Sequence, residues 1–277
     1  MMSLIKMKFK NLRILFFIKI IFVVGCGTIE SEQDGPGKAI ITEMPADALP
    51  KPEPRSKYGN GRNLGNGPQY EVLNKTYIVM ESSLNYQERG VASWYGSKFH
   101  GNLTSNRETY DMYKMTAAHK TLPLPTYVHV RNLRNNKSII VRVNDRGPFV
   151  TNRIIDLSYA AAMKLEMVED GTSLVEVTAI NFDEPTKKVK TKIPVVSNKS
   201  NQIYIQVGAF SERKNAQKSL SNLFSNGVKN ALIHEDFSKD ESLYRVRIGP
   251  ILNVIQYDLL VKDLDDLGIK EKYLITD

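Results

Sequence analysis

Hydrophobic and polar positions change rhythm several times along the chain, and each change marks a boundary. Residues 14–24 form an apolar run interrupted only by Lys19 and preceded by Lys6, Lys8, Lys10 and Arg13. That is the layout of a signal peptide over residues 1–25, and the run is too short for a comfortable membrane span. From 26 to 87 the periodicity disappears. Stretches such as LPKPEPRSKYGNGRNLGNGP bury too little apolar surface to offset the entropy of ordering, which predicts a flexible tether with room for a short ordered piece around Tyr77 to Met80. Between 88 and 183, strands are predicted at 91–95, 127–132, 138–144 and 174–180, with Asn135-Asn136 as a turn. Asp156 or Ser158 can cap a short helix through Ala160, Ala161, Ala162 and Leu165. Mostly β with one or two short helices fits a small closed barrel. Residues 184–200, rich in Lys, Pro and Ser, are expected to be a second linker.

Residues 201–277 repeat a unit. IYIQVGAF and YRVRIGPI align on Gly208 and Gly249, and each leads into an amphipathic segment. The expected apolar stripes are Ala216, Leu220, Leu223 and Phe224 in the first helix. In the second they are Ile255, Leu259, Leu260, Leu264 and Leu267. Strands at 231–235 and 272–276 complete a β-α-β-β-α-β order. Alternation turns Ile205, Val207, Val246 and Ile248 toward the helices. Tyr204, Gln206, Arg245 and Arg247 then share the outer face. This face is either an ordinary solvated sheet or a saccharide platform, with an aromatic ring for pyranose faces and polar groups for hydroxyls and carboxylates.

The net charge of +8 favours an acidic partner. With an export signal, acidic envelope polymers fit better than nucleic acid. Cys26, the only cysteine, ends the apolar run as Val-Val-Gly-Cys. It is either a buried small hydrophobe or a lipobox cysteine that is acylated to anchor the mature chain in a membrane. No metal and no cofactor are expected. The four histidines have no paired ligand spacing, and there is no nucleophile elbow or phosphate loop.

The chemistry-bearing strings lie between Arg89 and Gly171: GVASWYGSKFHG, NRETYD, TAAHKTLP, VRVNDRGPF and RIIDLSYAAA. Asp145 follows an alternating strand and precedes Arg-Gly-Pro, which cannot continue it. A carboxylate at a strand end beside a tight turn is where a rigid sheet presents a reactive group. It can equally be a turn-stabilising Asp. Glu108 is either a solvated loop acid or a group that orients substrate, assists proton transfer or acts on Asp145 by like-charge proximity. His119 could hydrogen-bond a carboxylate or a sugar hydroxyl. Trp94 and Tyr95 can line a saccharide groove, though Trp94 serves equally well as a core anchor. Asn144 and Arg146 flank Asp145, to orient it or to support the turn.

In their order and spacing these strings resemble the double-psi β-barrel domain of the rare lipoprotein A family of peptidoglycan lytic transglycosylases. The tail resembles a SPOR domain, which binds glycan strands stripped of stem peptides. The resemblance implies a barrel at 88–183 and a SPOR domain of ferredoxin-like type at 201–277. It also implies endolytic cleavage of peptide-free glycan to 1,6-anhydro-muramic ends during division, with Asp145 as acid and base. Glu108 and His119 would assist. By the same resemblance, the lipid on Cys26 points to the periplasmic face of the outer membrane, at the septum, among possible division-site proteins. The family usually carries Gly where Arg107 stands, and an Arg107 ion pair could hold Glu108 ionised. Two other functions fit the residues: a non-catalytic glycan-binding scaffold, and an inverting hydrolase using Asp145 and Glu108.

Overall fold

The computed structural model describes residues 35, 43–55, 65, 67–182, 202–237 and 242–277. The predicted signal peptide, Cys26 and the second linker lie outside the described residues. The hairpin β1 (Gln69–Val72) and β2 (Lys75–Ile78) precedes a closed barrel of six strands. These are β3 (Gln87–Tyr95), β4 (Thr116–His119), β5 (Thr126–Asn132), β6 (Ser138–Asp145), β7 (Arg153–Ser158) and β8 (Thr172–Ala179). The order around the barrel is β3-β7-β4-β6-β5-β8. β3 runs parallel to β7 and β4 parallel to β6; the remaining pairs are antiparallel. The interior is filled by the inward members of each alternation, among them Val128, Val141, Val143, Ile155, Leu157 and Val177. Closure leaves no sheet edge unpaired along most of the barrel. Helix α1 (Tyr159–Lys164) is capped by Ser158, whose hydroxyl accepts from the Ala161 N–H. The other predicted cap, Asp156, lies inside β7.

The tether expectation for 26–87 needs correction. Residues 43–55 lie along the barrel, and 69–78 form a hairpin. Tyr70 and Tyr77 stack at 5.2 Å, and Phe149 packs against both rings. Aromatic area, rather than long apolar runs, orders this stretch.

The C-terminal unit has β9 (Ile203–Phe210), α2 (Arg213–Ser225), β10 (Ala231–Phe237), β11 (Ser242–Ile248), α3 (Val254–Asp266) and β12 (Tyr273–Thr276). Its sheet runs β10-β11-β9-β12, all antiparallel. The α2 stripe is Ala216 and Leu223, whereas Phe224 is half exposed. On α3 the buried residues are Val254, Val261 and Leu264, and Ile255 and Leu259 face solvent. Leu260, Leu264 and Leu267 of the expected stripe do meet the core, and the 3-4-3 spacing of Val254, Tyr257, Val261 and Leu264 sets the rest of the buried face. Arg153 of β7 holds Asp258 of α3 through two hydrogen bonds, at 3.1 and 3.0 Å.

Candidate active site

Three inward valine and isoleucine positions pin β6, so its last residue, Asp145, leaves the barrel in a fixed direction. A register shift in the β4–β6 pairing between Ala117 and Ala118 brings Ala118 opposite Asp145. Such irregularities re-aim a side chain at a barrel rim. Just beyond, Gly147 turns the chain at φ +142°, a conformation L side chains rarely adopt.

Asp145 Oδ1 accepts from the Ser105 N–H at 2.8 Å, the Ser105 hydroxyl at 2.7 Å and the Arg146 N–H at 2.8 Å. Among the described residues, Oδ2 accepts no hydrogen bond. The carboxyl lines a cavity of roughly 380 Å³ together with Tyr70, Leu103, Ser105, Arg107 and Phe149. One oxygen is therefore clamped, while the other is left for a ligand.

Ser105 belongs to a tight turn closed by the Thr104 N–H to the Glu108 carbonyl at 2.8 Å and the Arg107 N–H to the Thr104 carbonyl at 2.9 Å. Arg107 sits at φ +69°, the left-handed region that glycine occupies freely. Glycine suits such a position, and here an arginine holds it.

Glu108 lines a second cavity of roughly 680 Å³. Its Oε2 accepts from Arg142 Nη1 at 2.6 Å and Asn144 Nδ2 at 2.7 Å, and its Oε1 from Asn106 Nδ2 at 2.8 Å. Burial works to raise its pKa, but the hydrogen bonds from Arg142 and Asn144 outweigh it and hold the carboxyl below its ordinary value. The ion pair expected from Arg107 comes instead from Arg142. Asn144, buried, orients Glu108 rather than Asp145.

His119 departs from the expectation. It is 3% exposed. Its Nδ1 accepts from the Thr121 and Leu122 N–H groups at 3.1 and 3.0 Å, which leaves Nε2–H to donate to the Tyr86 hydroxyl at 2.8 Å. Burial, aided by Arg146 and Lys120, pushes its pKa down to about 3. A neutral ring with both nitrogens engaged braces the 119–122 turn and has no face for a sugar. Arg146 is likewise a brace. Its guanidinium donates to the carbonyls of Gly65, His119 and Leu122, and it lies 5.7 Å from the Tyr70 ring. Tyr95 is buried, stacked on Tyr110 at 4.2 Å, and burial raises its pKa well above the ordinary value. Trp94 packs partly buried against the barrel core and Tyr159.

In the tail, Gln206 pairs across the sheet with Arg247 on one side and Tyr273 on the other, and Arg247 pairs with Leu232. These four form a row on the face away from the helices. Tyr204 and Arg247 share that face as alternation predicts, but both are buried. The Tyr204 hydroxyl donates to Gln202 and Arg247 holds Asp277 at 2.6 Å. Arg245 pairs with Asp236. In this row the aromatic ring open to solvent is Tyr273, 60% exposed. It lies on a short edge strand, where the sequence shows only one alternation to mark its outward position.

Residues 87–177 match the family described as Lytic transglycolase, and 199–265 match the SPOR domain. The chain is 36% identical to the endolytic peptidoglycan transglycosylase RlpA of Vibrio cholerae, across 95% of this chain and 96% of the relative. The chain belongs to the RlpA family of endolytic peptidoglycan transglycosylases. Two further members fit the same assignment. One from Pseudomonas aeruginosa is 38% identical over 76% of this chain and 74% of its own. One from Neisseria meningitidis is 43% identical over 65% and 72%. Family membership agrees with the barrel and the split β-α-β tail, and makes this chain an enzyme of the cell wall.

Among the described residues, no group of three or more His, Cys, Asp or Glu side chains could hold a metal ion. No helix among them is long and apolar enough to cross a membrane.

Proposed function

We propose that this chain cuts peptide-free peptidoglycan glycan within the strand, with Asp145 as the single acid and base. The muramic acid glycosidic oxygen needs a proton as it leaves. Asp145 Oδ2 delivers it. The same carboxylate then takes the proton of the sugar's C6 hydroxyl as that oxygen attacks C1. The C1–oxygen bond to the leaving sugar breaks, a C1–O6 bond forms, and the product is a 1,6-anhydro end with no water consumed.

The observation that carries this reading is the asymmetric clamp on Asp145: among the described residues, three donors on one oxygen and none on the other, at a cavity wall. An inverting hydrolase needs two carboxyls flanking one bond and a water. Glu108 and Asp145 line separate cavities, which supports a one-carboxyl mechanism. Glu108 then acts with Arg142 and Asn144 as a charged wall beside the path of the glycan.

The tail supplies local concentration by binding the same polymer. Its platform in this reading is the row Leu232, Arg247, Gln206 and Tyr273, with Tyr273 stacking on a pyranose. Acylation of Cys26 would anchor the chain to the periplasmic face of the outer membrane, at septa where amidases have removed stem peptides. The test compares sacculi with and without amidase treatment, reading soluble products by mass spectrometry. Anhydro-ended, peptide-free fragments from treated sacculi alone are expected. Equal release from untreated sacculi, or reducing ends throughout, would contradict the proposal.

A further inference from the structure

Residues 43–55 run along the barrel as a strap. The Ala48 N–H donates to the Ile140 carbonyl at 3.0 Å, and the Ile140 N–H donates to Asp47 Oδ2 at 2.9 Å. Lys164 holds the Pro45 carbonyl at 3.1 Å and pairs with Asp47. The two bonds to Ile140 fall on the start of β6, before its pairing with β4 begins at Arg142, while Lys164 holds the strap from the end of α1. The strap so covers a stretch of free edge. It then carries Glu53, set between Pro52 and Pro54, to Arg142.

Arg142 divides its donors between two carboxylates. Nε and Nη2 donate to Glu53 Oε1 and Oε2 at 3.0 and 2.8 Å, a two-point fork, while Nη1 donates to Glu108. The Tyr127 hydroxyl also donates to Glu53. The two acids differ in how they are held. Glu108 is fixed by Asn106 and Asn144 from the barrel itself. Glu53 comes from the strap and stands at the mouth of the 680 Å³ cavity that Glu108, Asn144 and Lys114 also line.

We propose that the Arg142 edge held by Glu53 is a carboxylate subsite of the glycan groove, that its ligand is the free lactyl carboxylate of a muramic acid, and that Glu53 is an internal stand-in which the glycan displaces. The proposal rests on the peptidoglycan reading above and deepens it. A lactyl group bears a free carboxylate only after its stem peptide is gone; before that it is an uncharged amide. Swapping one carboxylate for another preserves the charge balance around Arg142 and both fork bonds. An amide offers one acceptor oxygen and would leave the guanidinium underpaired, so the fork selects against peptide-bearing strands.

The test is titration calorimetry on the full chain in detergent, in an Asp145→Asn background that prevents turnover. Three probes are used: a peptide-free muramoyl tetrasaccharide, the same sugar with its lactyl groups as methylamides, and a free stem peptide. The acid sugar is expected to bind about tenfold tighter than the amide. Glu53→Gln is expected to tighten the acid sugar severalfold while leaving the amide unchanged, and Arg142→Gln to erase the preference.

Equal affinity for acid and amide sugars, or comparable binding of the stem peptide, would overturn the subsite. So would weaker binding of the acid sugar by Glu53→Gln, which would make Glu53 a support for Arg142. Thermal melts of each variant separate loss of binding from loss of fold, and Arg142→Lys, which keeps the charge but not the fork, is expected to retain fold and lose the preference. An acid preference without anhydro products from the wild type would leave the subsite standing and remove the transglycosylase reading. Anhydro products without the preference would do the reverse.

Discussion

The Ser105 hydroxyl and the Ser105 backbone N–H both end on the same oxygen of Asp145, at 2.7 and 2.8 Å. The 104–108 turn thus does more than close a loop: it sets which carboxyl oxygen faces the cavity. Ser105→Ala removes one of three donors and keeps the two N–H groups. Cleavage of denuded sacculi is expected to fall about tenfold, the scale of one hydrogen bond to a charged group, with little change in melting temperature. A Ser105→Ala enzyme as fast as the wild type would show that the clamp does not position Asp145.

Arg107 holds a left-handed conformation that costs an L residue about 1–2 kcal/mol. Its side chain is exposed, so its removal sacrifices little packing. Arg107→Gly is expected to raise stability by about 1 kcal/mol, less what the freer unfolded chain takes back, and Arg107→Val to lower it. The midpoint of urea unfolding checks both directions.

The pH dependence of stability follows from His119. Its folded pKa, about 3, lies below the ordinary 6.5. The unfolded chain therefore takes up a proton, as pH falls below about 6.5, that the folded chain refuses until about 3. Stability is full above 6.5 and declines toward 3, by up to about 1.4 kcal/mol per pH unit for one such group. His129, lowered by burial and by Arg131, adds to the same limb. His119→Gln is expected to flatten the decline between pH 6 and 5 without abolishing it. An unchanged slope in equilibrium unfolding would contradict the buried neutral ring.

Tyr273 is the exposed ring of the row that includes Gln206 and Arg247. Tyr273→Ala is expected to weaken retention on amidase-stripped sacculi severalfold, since stacking of one aromatic ring contributes about 1 kcal/mol. Tyr204→Phe, at a buried ring, is expected to leave retention near wild type. Co-sedimentation at several protein concentrations distinguishes them.

The barrel was legible where side chains alternate strongly. The inward residues of β6 and the strand-end placement of Asp145 follow from Ile139, Val141 and Val143 before Arg-Gly-Pro. β4 was not, because Thr116-Ala117-Ala118-His119 has little side chain to pattern and its pairing is wholly non-local. β7, written Arg-Ile-Ile-Asp-Leu-Ser, was hidden because the Ile154-Ile155 pair leaves only four alternating residues. The role of His119 was invisible for another reason. Its partners Tyr86 and the 121–122 amides show only in three dimensions, and composition cannot distinguish a bracing imidazole from a reactive one. Glu53 was lost inside a proline-rich stretch that reads as linker. Nothing local marks this acid as one that reaches a barrel arginine.

The central claim is that Asp145 alone performs both proton transfers. The most direct measurement is mass spectrometry of glycan ends released from amidase-stripped sacculi by the wild type and by Asp145→Asn. The wild type is expected to release 1,6-anhydro-muramic ends and the variant no soluble products, with both proteins retained equally on the sacculi. Anhydro ends from Asp145→Asn at an undiminished rate would contradict it.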